Sequence, residues 1–533
     1  MRLVTADAAV SLVRDNDTIL IGGSGAGHAV PDALMCALGK RFKASATPKR
    51  ITAVHPVGLG NRGGRGADHF AHPGLLKRVV CGTLVDAPAI AELAKNDHIE
   101  AYTLPQGALS QLVREIAAGR PGLITHVGLH TFVDPRQGGG RQTRISTENL
   151  VEIIEIKGRE WLFYQPFSID VAFLRGTTAD EDGNISMEQE AVFGEMLSMA
   201  QATRRCGGLV IVQVKRLARR GGLTGKDVKI PGMLVDLVVV EPDQEQTFQT
   251  YYNPSYAGEL RIPLDMFPVL PLTERKIIAR RCALELKRQA VCNVGAGICT
   301  GIGLVAAEEQ VLDQIVLTNE QGLIGGAPAF GLDAGAANNF WAMIDQPYQF
   351  DYYDGGGLDL AFLSAVEIDP VGSVNISRFA DRIVGIGGFV NISQNAKTVV
   401  FAGTFTAGNL EIRTGDGQLT ILTEGRHRKF VSELSQTSYS GSYARERGQT
   451  TLFVTERAVF RAVDKAIELV EIAPGIDLER DILSQMAFRP QISPDLKRMD
   501  SRLFSPGVMG IERDILAQSV SFHPRLKDLA PRN

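Results

Sequence analysis

No apolar run in this 533-residue sequence approaches the ~18 residues needed to cross a bilayer. The opening segment is interrupted by Arg14, Asp15 and Asp17 before the apolar core of a secretory signal could form. The expectation is therefore a cytoplasmic protein with no membrane partner. Basic excess is missing as well: the formal net charge is -4 and the pI is near 6.2, which argues against a nucleic-acid partner recognised through a positive surface. Cysteine is sparse, with Cys36, Cys81, Cys206, Cys282, Cys292 and Cys299 scattered and no C-x-x-C pair. Neither a zinc site nor a secreted disulfide framework is expected from that pattern.

Two nucleotide motifs fall short. In Gly22-Gly23-Ser24-Gly25-Ala26-Gly27-His28 the third glycine of a dinucleotide fingerprint is replaced by His28. At Gly221 to Asp227 a phosphate loop would need glycine at Arg220 and Ser or Thr at Asp227, so an ATP site is rejected. His126 and His130 are spaced as ligands on one helix turn, but Gly128 between them and Thr131-Phe132-Val133 after them favour a strand or loop, and no metal is expected. Lys215, Arg216, Arg219 and Arg220 read as a solvated basic face.

What is present is alternation. Thr18–Ile21, Ile51–Val54, Arg78–Cys81 and Ile99–Tyr102 read as short buried strands, with helical stretches such as Pro31–Leu38 and Pro88–Lys95 between them. That order predicts an α/β protein with parallel strands and crossover helices, whose ligands bind at the carboxyl ends of the strands. Leu174 to Ser186 is echoed by Leu363 to Ser377: each leaves a strand, turns at Asp and Gly, and re-enters through Asn-Ile-Ser. Asn293-Val294-Gly295-Ala296-Gly297 likewise echoes the turn at Gly22 to Gly27. We therefore expect two related halves in tandem, each a largely parallel sheet with helices on both faces, and an active site between them. The proline-rich stretch Leu260–Pro271 supplies the division: residues 1–262, a linker at 263–272, and residues 273–533, with a helix over Thr273–Lys287 capped by Thr273.

Glu320 is the focal residue. Gln314–Leu317 reads as a buried strand that ends at Thr318-Asn319-Glu320-Gln321-Gly322, with Gly325 and Gly326 close behind. A carboxylate among residues without Cβ is either an incidental acid in a surface turn or a group that a substrate can approach. Gly387-Gly388 could aim consecutive amides at one oxygen, as a developing oxyanion requires, or form a simple tight turn. Gln106, in Leu104-Pro105-Gln106-Gly107, could present its amide to a carboxylate or thioester oxygen, or mark a helix entry.

Taken together, Leu104–Gly107, Asn293–Gly297, Asn319–Gly322 with Gly325-Gly326, Gly356-Gly357-Leu358-Asp359-Leu360, Gly387-Gly388 and Val454–Phe460 resemble a family I coenzyme A transferase over nearly the whole chain. Leu129–Arg136 and Ile324–Pro328 resemble its acetate or propionate branch; Gln321 departs from the Asn that many members carry. The resemblance implies ping-pong transfer of coenzyme A from a short-chain acyl-CoA to an acid such as acetate. Glu320 would be the nucleophile, passing through a glutamyl-CoA thioester, with Gly387 and Gly388 receiving the oxyanion. Gln106 would orient the substrate, and Asn293, Gly295 and Gly297 would line the coenzyme A channel. Coenzyme A would be substrate and covalent intermediate, no cofactor would be tightly held, and the chain would form a homodimer or homotetramer. The competing expectations are an acyl-CoA thioesterase on the same scaffold and a non-catalytic acyl-CoA-binding protein.

Overall fold

A computed structural model describes residues 2–520. Eight parallel strands form the first sheet, in the order Arg2–Val4, Leu237–Val240, Leu209–Val214, Val171–Arg175, Thr18–Ile21, Ile51–His55, Leu76–Cys81, Glu100–Thr103. Their nearly unbroken Val, Ile and Leu runs are what a sheet buried on both faces requires. Side chains alternate between two cores. Ile19, Ile21, Val79 and Phe173 face Leu34, Leu38 and Ile90 of the helices Asp32–Ser45 and Pro88–Lys95. Leu20, Val54, Val80 and Leu174 face the opposite way, into a core that includes helices Gln106–Ala117 and Met196–Arg205 and continues into the second half of the chain.

The second sheet has ten strands. Its parallel centre runs Val316–Asn319, Val291–Val294, Leu360–Ser364, Thr398–Ala402, Thr450–Val454. Short antiparallel strands at Leu323–Ile324 and Ala342–Met343 extend one edge, and Ala458–Val463 pairs antiparallel at the other.

The two halves are related down to individual hydrogen bonds. Gly22 N–H donates to the Phe173 carbonyl at 2.9 Å, and Gly295 N–H donates to the Phe362 carbonyl at 2.8 Å, each clamping a glycine turn to the neighbouring strand. Asp180 Oδ1 accepts from Asp182 N and Asn184 N, as Asp369 Oδ1 accepts from Val371 N and Ser373 N. The echoed Asp-Gly turns are thus one device used twice.

Local expectations shift at the ends of elements. Pro31 precedes the first helical residue and the helix runs on to Ser45. Thr273 occupies the cap position, but its side chain makes no capping bond, and the helix spans Glu274–Ala283 because the chain must turn through Gln289, at φ 60, to enter the next strand. The strand before Glu320 starts at Val316 because a 3-10 turn takes up Leu312–Gln314.

Between the halves, Leu264–Met266 forms a 3-10 turn in otherwise irregular chain. The halves do not merely abut. Leu84 N–H and Thr83 Oγ1 both donate to the Val384 carbonyl, and the Gly82 carbonyl accepts from both Ile386 and Gly387. Helix Gln106–Ala117 of the first half docks on Gln346–Asp354 of the second, where Arg114 makes a bidentate pair with Asp351 at 2.7 and 2.9 Å.

Candidate active site

Glu320 follows the strand Val316–Asn319 at its carboxyl end, where the two halves meet. Its neighbours are set by the hairpin after it. Gly322 and Gly326 take φ 101 and 70, and a Cβ at either would collide with the backbone at Ile344 or Asn338. The glycines therefore serve close packing of the protein on itself, which holds the turn still, rather than leaving room for a substrate.

Gly388 faces the carboxylate: a methyl group there would stand 2.8 Å from Glu320 Oε2. Gly388 has an ordinary φ of -80, so contact and not backbone conformation is what excludes a side chain. The expected pair of free amides is reduced to one. Gly387 N–H is used in the bond to the Gly82 carbonyl at 2.8 Å, whereas Gly388 N–H has no acceptor among the described residues. Gly387 instead positions Gln106, whose N–H donates to the Gly387 carbonyl at 2.9 Å.

Among the described residues Glu320 has one polar side-chain partner, Gln321, whose amide stands 3.5 Å from Oε1. Enclosure of the carboxyl group without a cation pushes its pKa up to about 7, against a small lowering by Gln321. The floor beneath it is polar and buried. Tyr353 Oη donates to Thr318 Oγ1 at 2.7 Å and accepts from Asn293 Nδ2 at 3.2 Å, which fixes the end of the strand that carries Glu320. Asn293 is accordingly an interior residue, 1% exposed, while Ala296 and Gly297 of the turn after it reach solvent.

Gln106 is buried at the first residue of its helix, so both readings of its motif hold at once: helix entry and site residue. Nε2 donates to Gln346 Oε1 at 3.0 Å, and Oε1, without a hydrogen bond among the described residues, is turned toward Gly387. Gln346, Glu195 and Ser110 continue this buried network. A second one links Gly107 N–H to Asn391 Oδ1 at 3.1 Å, and Asn391 Nδ2 to both oxygens of Asp354 at 3.0 and 3.1 Å. Burial raises Asp354 to about 7 despite these donors. None of Gln346, Glu195, Asn391 or Asp354 is marked by local sequence pattern, because each acquires its partner across the junction of the halves.

Lys429 is another such residue. Its enclosed ammonium donates to the Ala365 carbonyl at 3.3 Å and lies near Cys299, just past the Gly295–Gly297 turn. Burial lowers its pKa, and no carboxylate pairs with it among the described residues. The remaining candidates go elsewhere. His126 bonds Asn395 at 2.6 Å and His130 packs on the Tyr443 ring. Arg216 and Arg220 pair with Glu188 and Asp182, while Lys215 covers Tyr251.

Comparison with known proteins adds four findings. The family described as Coenzyme A transferase matches residues 3–241. The chain is 43% identical over 509 residues to the acetate CoA-transferase YdiF of Escherichia coli K12, covering 95% of this chain and 96% of that one. It is 45% identical over 520 residues to the caffeate CoA-transferase of Acetobacterium woodii, covering 96% and 99%. Among solved structures, the acyl-CoA transferase YdiF of E. coli O157:H7, in a thioester complex with CoA, matches with a TM-score of 0.90 at 42% identity, covering 95% of this chain and 97% of that one.

Proposed function

The chain belongs to the coenzyme A transferase family, and from that premise we propose that Glu320 carries coenzyme A between carboxylic acids by a ping-pong route. The supporting observation is the carboxylate of Glu320 at the junction of the halves, enclosed, with no cation beside it among the described residues, and in contact with Gly388, the member of the Gly387-Gly388 pair whose amide has no acceptor there. A Glu320 oxygen attacks the acyl-CoA thioester carbon, the C–S bond breaks, and an acyl-glutamyl anhydride and CoA thiolate form. The thiolate then attacks the Glu320 carbonyl, releasing the acyl group as its carboxylate and leaving a Glu320-CoA thioester. An incoming acid runs the steps in reverse. One thioester replaces another, so no ATP is consumed.

Enclosure has two effects on the nucleophile. It raises the carboxylate's energy relative to water, which favours attack, and it leaves about half of the population protonated near pH 7. Gly388 N–H, with no acceptor of its own among the described residues, would receive charge at the attacked carbonyl. Binding of the distant nucleotide and pantetheine arm would supply energy for the uphill anhydride. The Gly295–Gly297 turn and Lys429 form a place where that arm could lie, with Lys429 offering a cation to a phosphate or a donor to an amide carbonyl. Asn293 would act beneath, holding the strand. The relatives' names include acetate and caffeate, so the acceptor class is a small carboxylic acid, with short-chain acyl groups as our first assignment. Assembly as a homodimer or homotetramer belongs to the same proposal and is measured by sedimentation.

Incubation with acyl-CoA, reduction with borohydride and peptide mass mapping test the central step. The expected result is a modification of the peptide bearing Glu320 that Glu320→Gln lacks, together with loss of exchange in that variant. CoA release that is unaltered by added acetate would favour hydrolysis, and a Glu320→Gln protein that still exchanges CoA at the wild-type rate would eliminate the nucleophile.

A further inference from the structure

Gln106, Gln346, Glu195 and Ser110 form a chain of hydrogen bonds that crosses from one half to the other and is almost wholly sealed from solvent, with each residue at most 1% exposed. Gln106 Nε2 donates to Gln346 Oε1 at 3.0 Å, and Gln346 Nε2 donates to Glu195 Oε2 at 2.8 Å. Ser110 Oγ donates to the same carboxylate oxygen at 2.9 Å. Both ends are informative: Glu195 Oε1 is buried without a partner, and Gln106 Oε1 is turned toward Gly387 with none.

The direction of these bonds is the one an ionised Glu195 imposes. An ionised carboxylate can only accept, so in that state Gln346 turns its NH2 toward Glu195 and its carbonyl toward Gln106. Gln106 then turns its NH2 inward, and what it offers the cleft is a carbonyl oxygen. That polarity is wrong for a carboxylate or an oxyanion. If Glu195 is protonated, its O–H can donate to Gln346 Oε1. Both amides then turn over, Gln346 donates to Gln106 Oε1, and Gln106 offers its NH2 to the cleft. The two bonds along the amide chain are kept and reversed, Ser110 still donates to Glu195, and only the long 3.4 Å contact of Gln346 Nε2 with Ser110 Oγ is given up; the only exchange with solvent is one proton taken up at Glu195.

We infer that Glu195 is a positioning residue whose proton sets the polarity of the Gln346–Gln106 amide chain, so that binding of a substrate carboxylate beside Glu320 is coupled to proton uptake at a site that the substrate never touches. This inference rests on the transfer reading above for the identity of the ligand. Burial raises Glu195 to about 8, Ser110 opposing and the Asp345 charge assisting. Lys229 also faces this region, acting on Asp345 and lying over the Phe193 ring at 3.6 Å. Glu195 also stands at the N-terminus of helix Met196–Arg205 without capping it. No cation pairs with Glu195 among the described residues, so the proton is its means of neutralisation.

The ping-pong route isolates the effect. The acceptor acid meets the thioester form, in which Glu320 has no charge left to titrate. The KM for acetate in exchange with acyl-CoA is therefore expected to rise about tenfold, roughly the worth of one such hydrogen bond, as pH is raised through about 8. Glu195→Gln reproduces the protonated form, since its NH2 can donate to Gln346 while its carbonyl accepts from Ser110. Its acetate KM should stay low and flat with pH, while Glu195→Ala gives a high, flat KM that Glu195→Gln rescues. The acyl-CoA dependence of Glu320-CoA thioester formation, followed in single turnovers without acetate, should follow Glu320 alone in all three. A Glu195→Gln enzyme that keeps the wild-type pH profile overturns the inference. An infrared titration separates this outcome from failure of the transfer reading: a protonated-carboxyl C=O stretch that disappears in the wild type near pH 8 and is missing in Glu195→Gln supports the switch even if acyl-CoA is only hydrolysed, and absence of that band in the wild type overturns it.

Discussion

Glu320 and Gly388 are coupled through direct contact, and this defines the sharpest test at the scale of single residues. Gly388→Ala places a methyl group against the carboxylate at a backbone conformation that alanine tolerates, so the variant should fold normally by circular dichroism. Its kcat should fall by about 10²-fold, because the methyl group pushes the carboxylate out of line while the amide N–H is retained, and a displacement of about 1 Å costs roughly that much. On the proposed route Glu320 must be ionised to attack, and burial raises its pKa. Activity is accordingly expected to increase with pH, kcat/KM for acyl-CoA rising to a plateau with an apparent pKa of about 7. A flat profile from pH 5 to 9, in roughly the range where carboxylates ordinarily finish titrating, would mean that the carboxyl group is not desolvated as described.

At the scale of elements, the decisive feature is the N-terminus of helix Gln106–Ala117, which is docked by residues of the other half rather than by its own flank. Gly107 comes so near Asn391 and Phe350 that a side chain there would overlap both. Asn391 joins that helix to Asp354 and is fully buried. Replacing it by Ala orphans Gly107 N–H and removes two donors from Asp354, with an expected cost of about 2–3 kcal/mol in urea unfolding. Asn391→Asp should do worse than Ala at high pH, since it places a second carboxylate against Asp354.

For the whole molecule, several carboxyl groups are buried at the junction with raised pKa: Glu320 and Asp354 at about 7 and Glu195 at about 8. The sign follows from proton counting. Between the unfolded carboxylate pKa, about 4, and these folded values, the native state binds more protons than the unfolded state, so stability falls as pH rises. The junction's contribution is complete at the acid end of that window and lost by the time pH passes about 8. Differential scanning calorimetry should show Tm decreasing between pH 5.5 and 8.5, and the slope should lessen in Glu195→Gln. Carboxylates whose pKa is lowered by arginine, such as Asp134 and Asp500, act in the opposite sense, and their support disappears only below about pH 4.

Much of this architecture follows from the chain read linearly. Parallel strands buried on both faces announce themselves as continuous aliphatic runs, and a duplicated turn such as Asp180 and Asp369 carries its bonding in a few adjacent residues, so periodicity and local echo suffice. The placement of Glu320, Gln106 and Gly388 at the ends of elements, where the halves meet, was also legible. What only the tertiary structure decided is the state of those groups. Gly387 lost its amide to Gly82, Asn293 went inside, and Gln106 acquired a polarity from Glu195, in each case through a partner tens to hundreds of residues away. Desolvation and hydrogen-bond direction depend on the sum of surrounding atoms, and no stretch of sequence contains that sum until the two halves have closed on each other.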